Sequence, residues 1–436
     1  MKLLEEIIYI LVAILIIVWP MDHMIAVRNI DIGLIFILSI INLFIKKQHI
    51  KIYFDKFDKV LIYLLIFFAT IILLTSYFSS FFPRTFQEIK GQFWAPLLLG
   101  ISGFLLIKSN IEVKKLFNYI FFAFFVLVAY HFLFSINYYL LNHTLPLRSF
   151  GVTKGLDELN FLMPYIFAFF AVEFIFRLLK FPSIIKLNSL NLLILFLIAV
   201  FSLFVQFKRN GVFSLMFLVV SMIFFVFFML RKKISVKKLV FPFILVSFVS
   251  IIVITLDLKY DKRWDSLYGT YNLVFVKNDM TWYQKKVPHG YFSSNYRRLF
   301  YLRESIKFIK ENPFGYGFSR EIFSEIASKK YNLKNFHDHA HSSLLNILLG
   351  EGVLGFILYS LIMFLLMYIG IKNFLKYESY FGLFLFYIVS SFYFRSYLDD
   401  IFKNHYLQQF VFISVLAFFA MKREIYENKV SSIKEK

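Results

Sequence analysis

Long apolar runs, broken at nearly regular intervals by short polar clusters, repeat from one end of the chain to the other. Each is close to the roughly 20 residues that an α-helix needs to cross the hydrocarbon of a bilayer. The pattern predicts about twelve spans, over roughly 5–20, 31–45, 59–76, 92–107, 116–140, 159–179, 188–207, 212–230, 239–256, 353–371, 379–394 and 406–421. One stretch breaks the rhythm: from 257 to about 340 the chain is polar for roughly 80 residues, far longer than an ordinary connection. The expected organisation is therefore nine spans within 1–256, a large loop over 257–352, three spans within 353–421 and a charged tail over 422–436. The expected fold class is an all-α polytopic membrane protein.

Within the loop, residues 257–293 mix Tyr, Trp, Gly and Asp without a clear period and read as irregular, with a short hairpin. Further on, Ser294 or Asn295 is placed to cap a helix over about 296–310, which "ENPFGYG" at 311–317 ends through Pro313 and two glycines. Arg298, Leu302, Ser305, Ile306 and Ile309 fall on one stripe of that helix, so Arg298 is expected to point where the apolar face points. A guanidinium there needs an anionic partner, either a ligand or a carboxylate such as Glu304 or Asp338, unless it snorkels along the membrane surface. Beyond the loop, Val353 to Ile371 suffices for a span, so "SSLLNILL" at 342–349 is surplus. It is expected to form an interfacial helix over about 341–349, with Gly350, Gly352 and Gly355 allowing the turn and close contact that follow.

Composition agrees with this reading: 59% of residues are hydrophobic, 61 are Phe, and the mean hydropathy is +0.69. With no cysteine, disulfides and thiol catalysis are excluded. The formal charge of +21 invites a nucleic-acid reading. Its distribution argues otherwise, because basic residues collect in alternate connections. If Lys2 lies inside, connections on its side hold 24 Lys and Arg, against 9 in the short connections of opposite parity. Both termini are then expected in the cytoplasm and the large loop outside. No nucleic-acid partner is expected, and the tail is a solvated charge run.

Candidate chemistry gathers at the outer ends of the spans. Arg209 lies in "FKRNG" at 207–211, either as a membrane-surface anchor or facing inward as an anion site. Arg148 lies in a glycine-bearing loop over 143–160 that is long enough to cover an outer cavity. Asp399, Asp400 and His405 offer either hard-metal ligands or a helix cap. "HDHAH" places His337, His339 and His341 on one side of an extended segment, a spacing that zinc could use although a further ligand cannot be placed. A near-neutral imidazole at the membrane surface is also the side chain best suited to take a proton from an attacking hydroxyl.

The run His341, Ser342, nine residues, Gly352, two residues, Gly355 resembles the H-[N/S/Q]-x9-G-x-x-G signature of the O-antigen ligase superfamily, and the preceding histidines resemble its HxHN element. "RLFYLRESIKFIKENPFGYG" from Arg298 to Gly317 is similar to the family's R-x4-W…P-x-x-G-x-G block, with Leu302 where Trp is frequent and Ser342 where Asn is. Arg209 matches an arginine that the family carries in a short outer connection, and "RSFG" at 148–151 is a weaker match to an Arg/Gly loop. The resemblance implies a GT-C-like, inverting, metal-independent glycosyltransferase of the Gram-negative inner membrane, with its active site facing the periplasm. It would move a glycan from undecaprenyl pyrophosphate to a sugar hydroxyl of lipid A-core, with no cofactor. His341 is implied as the base with His339 beside it, Arg209, Arg298 and Arg148 as cations for the pyrophosphate and glycan, and Gly352 and Gly355 as structural. O-antigen polymerases and protein O-oligosaccharyltransferases share the donor. A lipid-linked oligosaccharide flippase would instead show internal repeats and charges at the bilayer midplane.

Overall fold

The structure is a computed structural model. Its description covers residues 2–46, 50, 52–143, 157–206, 265–284, 286–334, 336, 339–397, 399–400 and 404–434, with isolated positions at 221, 248, 251–252, 255 and 259. Over these residues it is all-helical. Seven helices come first: α1 (Lys2–Val18), α2 (Ile25–Ile45), α3 (Lys56–Tyr77), α4 (Phe82–Lys108), α5 (Val113–Asn142), α6 (Asp157–Leu178) and α7 (Ser189–Gln206). The loop segment contributes α8 (Leu267–Tyr271), α9 (Ser293–Glu311), α10 (Ile322–Tyr331) and α11 (Ser343–Gly350). The chain closes with α12 (Gly352–Tyr377), α13 (Tyr380–Ser396) and α14 (Asn404–Lys434).

Six helices among the described residues are long and apolar enough to cross a membrane: α2, α3, α4, α5, the 161–178 portion of α6, and α12. This is fewer than the twelve expected. Helices α1, α7, α13 and α14 coincide with four more of the expected runs, but α1 and α13 have only 17 residues each, and α14 spends its second half on charged positions. The expected spans over 212–230 and 239–256 lie outside the described residues.

The basic connections meet at one end of the bundle. Lys46 donates to the Asn110 carbonyl (2.8 Å), the Ile50 amide to the Lys108 carbonyl (3.1 Å) and Arg423 to the Ile111 carbonyl (2.6 Å). At the same end Asp55 caps α3 by accepting from the amides of Phe57 and Asp58, and Asp58 pairs with Lys422 of α14 at 2.5 Å, both buried. Removing one partner of such a pair strands a charge and costs roughly 3–5 kcal/mol. The connection 78–81 and the junction 351–352 between described helices lie at the opposite end.

Between the ends, small residues let helices approach closely. A Cβ on Gly370 of α12 would lie 2.7 Å from the Gly382 carbonyl of α13, and one on Gly382 would lie 2.8 Å from the Gly370 carbonyl. Gly103 of α4 similarly faces Val415 of α14 at 3.2 Å. The rest of the core is aromatic. Phe392 stacks on Phe410 at 3.7 Å between ring centres, and Phe117, Phe169, Phe381 and Phe384 from three helices interlock edge to face or tilted. Such pairs add about 0.5–1.5 kcal/mol each beyond the area they bury.

A second, separate core lies at the end away from the basic connections. Val274, Trp282, Tyr296, Phe300, Tyr301, Phe308, Phe323 and Phe336 bury one another there, with Leu349 of α11 among them. Residues 265–284 form short helical turns, with no strand among the described residues. Leu344 and Ile347 belong to the bundle core and Leu349 to the outer core, so α11 is the buried strut between them.

Candidate active site at the bundle end

The site is built outward from α9. Its buried face is Tyr296, Phe300, Tyr301, Arg303, Glu304 and Phe308, whereas Leu302 and Ile306 are 37% and 39% exposed. Of the stripe expected from Arg298, Leu302, Ser305, Ile306 and Ile309, Ser305 is buried and Ile309 packs against the outer core, but Leu302 and Ile306 face outward: the face carrying the large aromatic rings turned inward because rings remove more area from water than aliphatic side chains do. Arg298 is half-buried, and the arginine placed inside is Arg303. The helix begins at Ser293, earlier than the Ser294 or Asn295 cap implied, and no side chain caps it.

Arg303 ties the segment before α9 onto it. Its guanidinium donates to the carbonyls of Val274 (2.6 Å) and Asp279 (2.9 Å) and pairs with Glu304 at 2.8 Å. Glu304 also accepts from Lys307 at 2.8 Å and from the hydroxyls of Tyr283 and Tyr331 at 3.1 Å each. Burial alone would raise its carboxyl, but the Lys307 hydrogen bond and the two cations outweigh that and hold it below the usual range. Glu304 is thus committed to Arg303, Lys307 and two tyrosines, and Asp338, the other suggested partner of Arg298, lies outside the described residues.

On this platform Tyr301 stacks on the His341 ring at 5.6 Å between centres, and the Tyr301 hydroxyl accepts from Trp282 Nε1 at 2.8 Å. His339 lies against His341 with 4.1 Å between ring centres. Arg298 sits three residues before Tyr301 on the same helix, one turn away, and Arg297 lies over the Trp282 ring at 4.9 Å. His341 has φ +52°, a left-handed conformation that costs a non-glycine residue on the order of 1 kcal/mol. The strain is fixed from both sides: Ser342 donates to the Ser396 carbonyl (3.0 Å) and caps α11 by accepting from the Leu345 amide, and the Ser343 amide donates to the Asp399 carbonyl (3.0 Å). Arg209, Arg148 and His337 lie outside the described residues.

The glycines of the two motifs answer each other. Tyr316 and Gly317 donate their amides to the carbonyls of Leu349 and Gly350, each at 2.8 Å, and Val353 donates to the Pro313 carbonyl at 2.9 Å. Gly352 has φ +71°, and a Cβ there would lie 2.5 Å from the Phe314 carbonyl carbon; on Gly315 one would lie 2.6 Å from the Gly352 amide nitrogen. The loop that ends α9 and the loop that ends α11 therefore dock backbone on backbone. Arg84 of α4 clamps the far side, pairing with Glu321 (2.5 Å) and Glu325 (2.7 Å).

Asp400 is buried and pairs with Arg320 at 3.4 Å. Among the described residues no three His, Cys, Asp or Glu side chains converge as a metal site would require. The sequence reading passed over Arg303, Arg320 and Glu351. A carboxylate between two glycines, in "GEG" at 350–352, directly before the first motif glycine, was the available signal for the last.

Helices long and apolar enough to cross a membrane, capped at one end by a small aromatic-cored unit that holds two neighbouring histidines, define a polytopic membrane protein. Residues 194–360 match a family model described as O-Antigen ligase, and the chain carries that family's domain over this stretch. The matched span takes in α8 to α11 and the start of α12, and with them Arg298, His339, His341, Gly352 and Gly355. Such domains belong to O-antigen ligase and polymerase-type glycan transfer, which works on lipid-linked glycans. No curated protein matches the chain.

Proposed function

We propose that this protein is an O-antigen ligase that transfers a glycan from undecaprenyl pyrophosphate to a sugar hydroxyl of lipid A-core, at the periplasmic face of a Gram-negative inner membrane. The observation that carries the reading is the strained, stacked His341 beside His339, inside the matched domain and at the end of the bundle opposite the basic connections. With those connections in the cytoplasm, the histidines face the periplasm.

In the proposed step the acceptor oxygen attacks the anomeric carbon and forms the new glycosidic bond as the bond to the pyrophosphate oxygen breaks. The acceptor proton passes to His341, and the bonding pair leaves with undecaprenyl pyrophosphate. One displacement inverts the anomeric centre. Arg298, with Arg209 and Arg148, is assigned to the charge developing on the pyrophosphate, because planar guanidinium groups meet phosphate oxygens in pairs. His339 orients His341. With arginines carrying that role, the step as written uses no metal.

The test is the lipopolysaccharide of a strain lacking the gene, complemented with wild type or His341→Ala. Core without O-antigen, accumulation of undecaprenyl-linked polymer and rescue by wild type alone are expected. The His341→Ala variant should lose about 10²–10⁴-fold in transfer rate at normal expression. Loss of the long ladder with single repeats still reaching the core would make the protein a polymerase, and full rescue by His341→Ala would remove its role as base.

A further inference from the structure

The loop over 312–318 seats the aromatic-cored unit on α3 and α12, two of the helices long and apolar enough to cross a membrane. On the α3 side the Ser79 hydroxyl donates to the Tyr316 carbonyl, and the Phe318 amide donates to the Ser76 hydroxyl at 3.0 Å. On the α12 side the Val353 amide, in the first turn of the helix, donates to the Pro313 carbonyl at 2.9 Å. The depth of this rim follows from α12 itself. Its first charged residue, Lys372, pairs with Asp55 at 3.3 Å, at the end where the basic connections meet. Gly352 lies roughly 20 residues before Lys372, about 30 Å along the helix, which is the thickness of the hydrocarbon layer. The loop therefore stands where that layer ends.

Phe314 projects from the loop and is 82% exposed, although Tyr316 packs against the outer core and Phe318 is buried. A lone exposed ring on a protein surface needs no explanation. This one continues a larger apolar surface. The Phe314 backbone lies against Gly352, and from there Val353, Leu354, Ile357 and Phe364 run down α12, all exposed. Beyond the loop's other contact, Tyr77, Phe78, Phe82 and Phe86 are exposed as well. Their rings touch in turn, with centres 5.2 Å apart from Tyr77 to Phe78, 5.8 Å from Tyr77 to Phe82 and 6.1 Å from Phe82 to Phe86.

The loop is also built to leave water. "NPFGYGF" carries no charge. Pro313 has no N–H to satisfy, the Gly315 amide donates to the Asn312 carbonyl (3.2 Å), and the Asn312 side chain donates to the Gly315 carbonyl (2.7 Å). With the Tyr316 and Gly317 amides already on Leu349 and Gly350, little backbone polarity remains to be stripped of water, which is the main cost of placing irregular chain at membrane depth.

We propose that Phe314 anchors the aromatic-cored unit to the bilayer: its ring enters the acyl-chain edge of the nearer leaflet and fixes the loop that holds the far end of α11 at a set depth. The occupant of this surface is lipid, because the surface continues the exposed flanks of crossing helices, which acyl chains cover. A phenyl ring, with no polar tip, sits below the headgroups rather than among them, where Tyr and Trp collect. The inference rests on the helices that cross the membrane and is independent of the reaction the protein carries out.

The chain has no cysteine, so Phe314→Cys carries a single nitroxide label on the full-length protein. In nanodiscs of phosphatidylethanolamine and phosphatidylglycerol, paramagnetic relaxation by oxygen, which concentrates among acyl chains, is compared with relaxation by a water-soluble nickel chelate. The label at 314 should meet oxygen more often than nickel, as a label at Leu354→Cys on α12 does. A label at Lys334→Cys, on the exposed surface of the same unit, should show the reverse order. A label at 314 that meets nickel as freely as the one at 334 stands in water and overturns the proposal. One that meets neither is covered by protein, of this copy or a second, and overturns it too. Phe314→Trp gives a reading without a label: its added fluorescence should be lost to phospholipid brominated near the glycerol end of its chains and unaffected by aqueous iodide, and the opposite pattern refutes the anchor.

Discussion

Replacing Glu351 with glutamine gives a measurement in which sign and size both follow from the structure. Glu351 is enclosed between α11 and α12, and burial raises its carboxyl from the ordinary 4.5 to about 8. The charged groups lining a small cleft beside it are Arg320 and Asp400, paired with each other. Below pH 4.5 the carboxyl is neutral in both folded and unfolded chains and costs nothing through ionisation. As pH rises toward 8 the unfolded chain ionises while the folded chain stays protonated, so stability falls; above 8 both ionise and the loss levels off. A shift of this size corresponds to about 5 kcal/mol lost across that window. Glutamine keeps the shape and does not titrate. In detergent, the melting temperature of Glu351→Gln minus that of wild type should climb by several degrees between pH 5 and pH 8.5 and then flatten. A difference that stays constant with pH would refute a buried, neutral Glu351.

Three further outcomes follow. Gly352→Ala should destabilise the protein by about 2–4 kcal/mol, seen as a lowered melting temperature, because φ +71° and the Phe314 backbone both oppose a Cβ. Arg303→Ala should cost about 3–5 kcal/mol by leaving the Val274 and Asp279 carbonyls unpaired and Glu304 without a buried counter-charge. Limited proteolysis within 265–284 should report it first. Arg298→Lys keeps the charge and loses the paired geometry, so steady-state transfer should drop about tenfold or more in kcat, and wild-type turnover would remove Arg298 from the pyrophosphate.

Length and apolarity made most of the helices legible, since the bilayer demands both at once. The helix at Ser343 could be read because residues 342–349 are surplus to the following span and Ser342 is a good cap. The inward face of α9 could not be read from aliphatic spacing. Tyr296, Phe300, Tyr301 and Phe308 follow helical spacing as well as Leu302 and Ile306 do, and only the partner surface of Trp282, Phe323 and Phe336 decides between the faces. Arg303 drew no notice in the sequence because its acceptors are backbone carbonyls of a segment without a period. The docking of 313–317 on 349–353 left only glycines in the sequence, since backbone-to-backbone hydrogen bonds recruit no particular side chain.

That docking bears on how His341 is held in an unfavourable conformation. Helix α11 is eight residues long, too short to be stable by itself. It is gripped at its start by Ser342 on Ser396 and Ser343 on Asp399, and at its end by the Leu349 and Gly350 carbonyls on the 316–317 amides. Its sides are divided between the bundle core and the aromatic outer core. Loosening either end would let His341 relax to a negative φ and move its ring away from Tyr301. The glycines at 315, 317 and 352 therefore act on the imidazole at a distance: they let two loops come close enough to fix the far end of its helix. A variant there should lower transfer together with stability, whereas Tyr301→Leu, which removes the ring under His341 and leaves the loops docked, should lower transfer more than stability.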